Sequence, residues 1–164
     1  MSNLIQQKYD DKGKIAASGK LNLDLFRHLQ SLEYYKLKSP KSLGVEWVND
    51  IIFPILSEYS RLSVTDLLHT FSNHFAEQIS DNIDTNSKVL ITGGGAYNDY
   101  LIQRIKDITD CKIDIPDSNI IEYKEALIFG FLGVLRDLNI NNCYSSVTGA
   151  KKDHCSGKII IPKI

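Results

Sequence analysis

Three consecutive glycines, Gly93, Gly94 and Gly95, are the residues whose type and position best suit ligand chemistry in this sequence. They follow residues 89–92, which have strand character, and precede apolar residues at helical spacing from Leu101 to Ile108. Glycine tolerates positive φ and has no Cβ to hold a ligand away from the backbone. The helix that follows offers unpaired N–H groups and its positive dipole end. The pattern predicts close approach of backbone to a ligand, although a tight turn without a ligand has the same pattern.

The spacing of these glycines narrows the kind of ligand site. It matches neither the GxGxxG fingerprint of dinucleotide-binding folds nor the GxxxxGK[ST] pattern of P-loops. Neither of those two phosphate-binding folds is therefore predicted.

Two further stretches carry candidate functional side chains. Lys41 and Ser42 lie in a loop bracketed by Pro40 and Gly44, which can hold them towards a cleft. Lys41 is a candidate phosphate or sugar contact, but the sequence favours a solvated loop lysine. Glu125 lies in the predicted first turn of the most apolar helix, where the helix dipole alone favours an acid. Its position beside small residues of that helix also suits a residue that faces a cleft.

Composition excludes several classes of protein. The chain has 164 residues, a net charge of −1 and no basic run, so it gives no sign of binding nucleic acid or an anionic membrane. It has no apolar run long enough to span a membrane and no signal-peptide pattern. Three cysteines without paired spacing favour reduced thiols in a cytoplasmic protein.

The same residues give little support to metal binding or to thiol catalysis. His154 and Cys155 are adjacent but lack further ligands, so no metal site is predicted. A small enzyme with Cys111, Cys143 or Cys155 as nucleophile is the least supported hypothesis, because no histidine has a recognisable spacing to activate one.

An α/β fold must position these residues. Strands are predicted at residues 89–92, 111–115 and 158–162, the first two in a βαβ unit with parallel strands and a right-handed crossover. The predicted helices span residues 22–32, 46–57 with a kink at Pro54 or a break near Phe53, 63–80, the segment from the glycine turn to about 109, and 122–138. Residues 117–121 and 145–150 are predicted as loops. On the 63–80 helix, Thr70 and His74 share a face, which favours a hydrogen-bonded histidine over a polar interface pair.

Five stretches together resemble one family. They are Tyr9-Asp-x-x-Gly-x-x-Ala-Ala-Ser-Gly19, Pro40-Lys-Ser-x-Gly-x-Glu-Trp47, Thr92-Gly-Gly-Gly-Ala-x-Asn98, Glu125-Ala-Leu-x-Phe129 and Ser146-Val-Thr-Gly-Ala150. Similar stretches occur in this order in 1,6-anhydro-N-acetylmuramic acid kinases, and the resemblance extends from about Tyr9 to Pro162.

The resemblance implies a sugar kinase of the actin/hexokinase/Hsp70 superfamily that uses ATP with Mg²⁺. Such kinases use ATP and water to open the anhydro ring, and give N-acetylmuramic acid 6-phosphate in cell-wall recycling. The implied fold is a ribonuclease-H-like α/β lobe with a mixed or parallel sheet and flanking helices. By this resemblance Gly93, Gly94, Gly95 and Asn98 line the adenosine, while Glu125, Lys41 and Ser42 face the anhydro-amino sugar.

Members of that family are much longer than this chain. Their glycine-rich phosphate loop and their catalytic aspartate lie before the Tyr-Asp-x-x-Gly stretch, whereas residues 1–8 here contain no acid. We therefore expect residues 1–164 to form a single C-terminal lobe whose N-terminal lobe is missing. Because phosphoryl transfer depends on positioning and on electrostatic stabilisation of the phosphates, such a lobe should be inactive alone.

The alternative hypothesis is a non-catalytic interaction or dimerisation module of the same superfamily, in which the 63–80 helix matters and the glycines do not. In either case we expect self-association, since a lone lobe exposes apolar surface that its partner normally covers.

Overall fold

The computed structural model describes residues 8–38 and 41–160. Within them the fold is mixed α/β, mostly helical, with a small parallel sheet. The chain divides into two compact units at the junction between Ile115 and Pro116. We consider each unit by itself.

The first unit carries seven of the labelled helices and the sheet within its described residues. These elements are α1 (Lys14–Ala17), α2 (Leu23–Gln30), α3 (Glu33–Lys36), α4 (Val45–Trp47), α5 (Phe53–Glu58), α6 (Val64–Ser80), β1 (Lys88–Leu90), α7 (Asp99–Ile108) and β2 (Lys112–Asp114). Single 3₁₀ turns at Asp11–Gly13 and Gly94–Tyr97 precede α1 and α7 respectively. Helix α6 is central, because α1, α2 and α7 all pack against it.

The core of the first unit lies between α2, α5 and α6. It is formed by Leu25, Leu29, Ile52, Ile55, Leu67 and Phe71, with Trp47 and Leu62 among the half-buried residues around it. Two predicted helix starts are confirmed, because the side chains of Asn22 and Ser63 each accept a hydrogen bond from the first turn of their helix. The helices predicted at residues 22–32 and 63–80 therefore both form, and they supply four of these six core residues.

Where a kink or a break is expected near Phe53, the chain stays helical but changes its type of turn. A π-helical turn at Val48–Ile52 joins α4 to α5, and Pro54 follows in the first turn of α5. Proline has no N–H to donate and its ring crowds the preceding turn. A wider turn is one way for a helix to accommodate this.

The predicted βαβ unit is confirmed. Strands β1 and β2 pair in parallel, with Val89 opposite Ile113, and α7 connects them. Both strands are shorter than predicted, although the Ile91 N–H still donates to the Asp114 carbonyl at 3.0 Å. The end of the sheet therefore lies directly before the glycine turn.

The second unit contains α8 (Ser118–Asp137) and α9 (Ser145–Thr148) among its described residues. The loop predicted at residues 117–121 is wrong, because the Asp117 carboxylate accepts hydrogen bonds from the N–H groups of Asn119 and Ile120 and starts α8 there. Residues 145–148 are a helical turn that ends at Gly149, in the left-handed conformation, and not the predicted loop.

The last predicted strand is not seen. Residues 158–160 form no strand, and Ile161 and Pro162 lie outside the described residues. An isolated antiparallel bridge between Cys143 and His154 provides the only strand-like pairing in the described part of this unit.

Helix α8 exposes most of its apolar side chains. Leu127 is 62% exposed, Phe129 70% and Phe131 60%, and Ile121 is the one buried residue of the helix among those described. No helix in residues 8–38 and 41–160 combines the length and the hydropathy needed to span a bilayer.

Candidate functional site

The glycine turn connects the end of the sheet to α7. Gly93 has φ +82°, a value that residues with a side chain rarely adopt, and this directs the chain out of the strand. The turn is closed by hydrogen bonds from Ala96 N to Gly93 O at 2.9 Å and from Asn98 N to Gly95 O at 3.1 Å. Ala96 is buried beneath it. The glycines therefore form a fixed backbone surface anchored on its inner side.

The outer side of this turn is open. No atom of the described residues lies within 4 Å of a Cβ built at Gly93, Gly94 or Gly95, and the last two are exposed. Only Gly93 needs glycine for its backbone conformation. The absence of side chains at Gly94 and Gly95 instead leaves the backbone accessible, as a ligand that lies flat against the turn requires.

Asn98 has two structural contacts. Its Oδ1 accepts a hydrogen bond from Leu101 N at 3.0 Å and so caps α7. The same carboxamide packs against Gly13, where a Cβ would collide with it. These contacts explain an asparagine at this position without a ligand, and the predicted contact with adenosine stays a prediction.

Lys41 is exposed but has specific partners. Its Nζ donates to the carbonyl oxygens of Tyr34 and Tyr35, at 3.2 and 3.3 Å, and lies 4.9 Å from the centre of the Tyr34 ring. It therefore satisfies carbonyl groups at the end of α3, a favourable place for a cation. A freely solvated lysine is not what the structure shows.

Lys41 also lines a cavity of about 770 Å³ together with aromatic and aliphatic side chains, including Tyr35, Phe75 and Leu101. Leu101 belongs to the first turn of α7, so this cavity and the glycine turn share that helix. Ser42 is exposed. The roles of Lys41 and Ser42 in sugar binding stay predictions.

Glu125 lies in the second unit, and its side chain is exposed. Because α8 begins at Ser118, Glu125 lies two turns into the helix, and its predicted place in the first turn is wrong. The dipole of the helix N-terminus therefore does not account for an acid at this position, since its effect falls off within the first turn. Its predicted contact with the sugar stays a prediction.

A buried histidine lies beside the cavity. The Nε2 atom of His74 is 3.0 Å from the Tyr35 hydroxyl, and His74 is fully buried. Burial lowers the pKa of His74 from its ordinary value of 6.5 to about 4. The hydrogen-bonded histidine predicted here is confirmed, with deeper burial than the sequence indicated.

A polar network between α6 and α7 escaped the sequence analysis. Asn73 Nδ2 donates to the Tyr100 hydroxyl at 3.0 Å, and Arg104 Nε donates to Asn73 Oδ1 at 2.9 Å. His69 Nδ1 donates to the Ala16 carbonyl at 2.8 Å. These groups lie far apart in sequence. The signal that the sequence offers for them is the spacing of His69 and Asn73, which lie four residues apart and therefore share a face of α6.

Metal and thiol chemistry gain no support. The described residues contain no group of three or more histidine, cysteine, aspartate or glutamate side chains that could hold a metal ion. The thiols of Cys111 and Cys143 contact the hydroxyls of Thr109 and Thr148 respectively, and the Cys155 thiol contacts Arg136. In this part of the chain no thiol is hydrogen-bonded through its side chain to a histidine.

The comparisons with known proteins agree on one family. The family model described as anhydro-N-acetylmuramic acid kinase matches residues 1–162. The chain is 33% identical to the anhydro-N-acetylmuramic acid kinase of Francisella tularensis subsp. novicida, over 97% of this chain and 44% of that protein. It is 31% identical to the kinase so named in Hydrogenovibrio crunogenus (94% and 44%) and 32% identical to that of Clostridioides difficile (95% and 44%). The chain thus spans less than half the length of these curated relatives.

Proposed function

The chain belongs to the anhydro-N-acetylmuramic acid kinase family, and on that premise we propose that it is the C-terminal lobe of a two-lobe sugar kinase. The intact enzyme would act in the cytoplasm, using ATP with Mg²⁺ and water to open 1,6-anhydro-N-acetylmuramic acid and to form N-acetylmuramic acid 6-phosphate in cell-wall recycling. In this proposal the lobe alone does not transfer phosphate, because the phosphate loop and the catalytic base belong to the other lobe.

The open glycine turn is the observation that carries this proposal. With no atom of the described residues within 4 Å of a Cβ at Gly94 or Gly95, the backbone can contact a flat ring such as adenine directly. Gly93, Gly94, Gly95 and Asn98 would line the adenosine. The proposal names no magnesium ligand among the described residues, which contain no group of three or more histidine, cysteine, aspartate or glutamate side chains that could hold a metal ion.

The small sheet supports a lobe that continues in a longer protein. Parallel sheets are usually covered on both faces, and a sheet of two short strands is marginal by itself. Here Leu90 of β1 is 60% exposed. In the proposed ribonuclease-H-like lobe, further strands and the partner lobe would extend and cover this sheet.

Nucleotide binding is the first test. In an ATP titration followed by ¹⁵N NMR, the amide signals of Gly94 and Gly95 should shift with those of neighbouring residues. Gly94→Val places a branched side chain where the ligand would lie and should abolish the shifts while the chain stays folded. Equal shifts in the wild type and the variant would overturn the assignment of the turn.

Reconstitution tests the enzyme itself. This chain mixed with a separately produced N-terminal lobe of a family member should give phosphate transfer that depends on ATP and on the anhydro sugar. The matched control is the same mixture with Gly94→Val. A complex that forms but has no activity would count against the proposal.

Exposed apolar side chains support a second candidate, a non-catalytic interaction or dimerisation module. On α6, Phe75 is 46% exposed and Ile79 41% exposed. This candidate requires association without nucleotide binding, with Gly94→Val leaving the association constant unchanged. Sedimentation equilibrium with and without ATP separates the two candidates.

A further inference from the structure

The segment from Asp10 to Ala16 comprises the first 3₁₀ turn and the first three residues of α1, and it lies against the start of α7. We term it the buttress loop. Gly13 is buried at its centre with φ +72°. A Cβ at this position would lie 2.7 Å from the Tyr100 Cβ and would also collide with the Asn98 carboxamide. Gly13 therefore places bare backbone against the side chain of Asn98.

That side chain controls the junction between the glycine turn and α7. Asn98 Oδ1 accepts a hydrogen bond from Leu101 N at 3.0 Å, and Asn98 N donates to Gly95 O at 3.1 Å. Asn98 is therefore hydrogen-bonded both to the helix after it and to the glycine turn before it. Any movement of Asn98 must change the direction in which Gly94 and Gly95 present their backbone.

The buttress loop is itself held firmly. The two oxygens of the Asp10 carboxylate accept hydrogen bonds from Ile15 N at 2.8 Å and from Ala16 N at 2.9 Å. The Ala16 carbonyl in turn accepts from His69 Nδ1 on α6. The loop is therefore braced against the longest helix of the unit and offers a fixed surface to Asn98.

We propose that the buttress loop is a positioning element for the glycine turn, in which Gly13 fixes Asn98 and thereby sets the nucleotide-facing backbone of Gly94 and Gly95. The role of the turn in nucleotide binding rests on the proposed function, whereas the positioning of Asn98 and the glycine turn by Gly13 does not. Gly13 and Asp10 are positioning residues, because Gly13 contacts Asn98 and Tyr100 while the Asp10 carboxylate binds backbone N–H groups of its own segment.

The test uses Gly13→Ala in the full chain, with Gly149→Ala as the matched control. Gly149 has nearly the same left-handed backbone conformation, with φ +71°, but it belongs to the second unit and no atom of the described residues lies within 4 Å of a Cβ built there. Both variants should lower the melting temperature. Only Gly13→Ala should shift the ¹⁵N amide signals of residues 94–97 and weaken ATP binding per folded molecule.

We expect the dissociation constant for ATP to rise about tenfold in Gly13→Ala, as it would if about a tenth of the molecules kept the competent turn. The constant should stay within about twofold in Gly149→Ala, where the alanine is strained by its positive φ but meets no side chain of the turn. If Gly13→Ala fails to fold, Asp10→Asn replaces it, because an amide can satisfy only one of the two N–H groups and loosens the loop without overpacking it.

Each outcome decides a different question. Equal effects of the Gly13 and Gly149 variants on the signals of residues 94–97 would overturn the positioning role. Selective changes at residues 94–97 support it, even where the wild type shows no response to ATP. A wild type without response would instead overturn the proposed nucleotide site.

Discussion

The buried His74 makes the stability of this fold depend on pH in a defined interval. Its pKa is lowered from 6.5 to about 4 because burial disfavours the charged ring. As the pH falls, His74 therefore binds a proton near pH 6.5 in the unfolded chain but only near pH 4 in the folded chain. Since the unfolded state binds more protons in this interval, the stability contributed by neutral His74 is complete above pH 6.5 and is lost as the pH falls.

The size of the effect follows from the same values. Each pH unit of proton uptake by the unfolded state alone is worth about 1.4 kcal/mol, so lowering the pH from about 7.5 to about 5 should cost about 2 kcal/mol. The carboxyl groups of Asp66 and Asp153, whose pKa values are lowered mainly by backbone hydrogen bonds, act below this interval.

Urea unfolding at the two pH values measures this cost, and His74→Gln should remove most of it because glutamine does not titrate. Tyr35→Phe is the control, since it deletes the hydroxyl 3.0 Å from His74 Nε2 but leaves the ring buried. It should retain the pH dependence. An equal loss of stability in the wild type and in His74→Gln would refute the argument, as would an NMR titration midpoint near 6.5 for the His74 ring in the folded protein.

Three further predictions concern the contacts around the candidate site. Asp10→Asn should lower the free energy of unfolding by about 1–2 kcal/mol, measured by urea titration, because one backbone N–H loses its partly buried acceptor. Asn98→Ala should cost about 1 kcal/mol through loss of the helix cap, with hydrogen exchange faster at Leu101 than in the wild type. Lys41→Met should change stability by less than about 0.5 kcal/mol because the lysine is exposed. In the reconstituted enzyme the same variant should raise the KM for the anhydro sugar if Lys41 contacts it, and an unchanged KM would remove Lys41 from the site.

Local signals predicted much of this fold. The caps at Asn22 and Ser63, the irregular helical turn before Pro54 and the parallel βαβ unit all depend on neighbouring residues or on short periodic patterns. The start of α8 is an exception, because Asp117 caps a helix at Ser118 although residues 117–121 are predicted as a loop. That error moved Glu125 into a first turn that it does not occupy.

Contacts between distant segments could not be predicted in the same way. Gly13 belongs to one of the five stretches that resemble the family, but nothing in the sequence indicates that this glycine packs on Asn98. Likewise the glycine turn was predicted as a place of close approach, while its open outer side and its closed inner side are properties of the packed structure. These properties depend on tertiary contacts between segments that are distant in the sequence, and local sequence patterns do not indicate which segments meet.

The brevity of β1 and β2 has a consequence for handling the chain. A sheet edge normally invites strands from other molecules, and proteins prevent this with short strands and charged side chains. Each strand here has three residues, and Lys88, Lys112 and Asp114 supply charges along them. Lys88 Nζ lies 3.5 Å from Asp114 Oδ2 and forms an ion pair with it. Fibrillar growth from the sheet is therefore disfavoured. Aggregation should instead occur through exposed apolar helix surfaces such as those of Leu127 and Phe129. Detergents, or polar substitutions at these residues, should therefore keep the protein in solution.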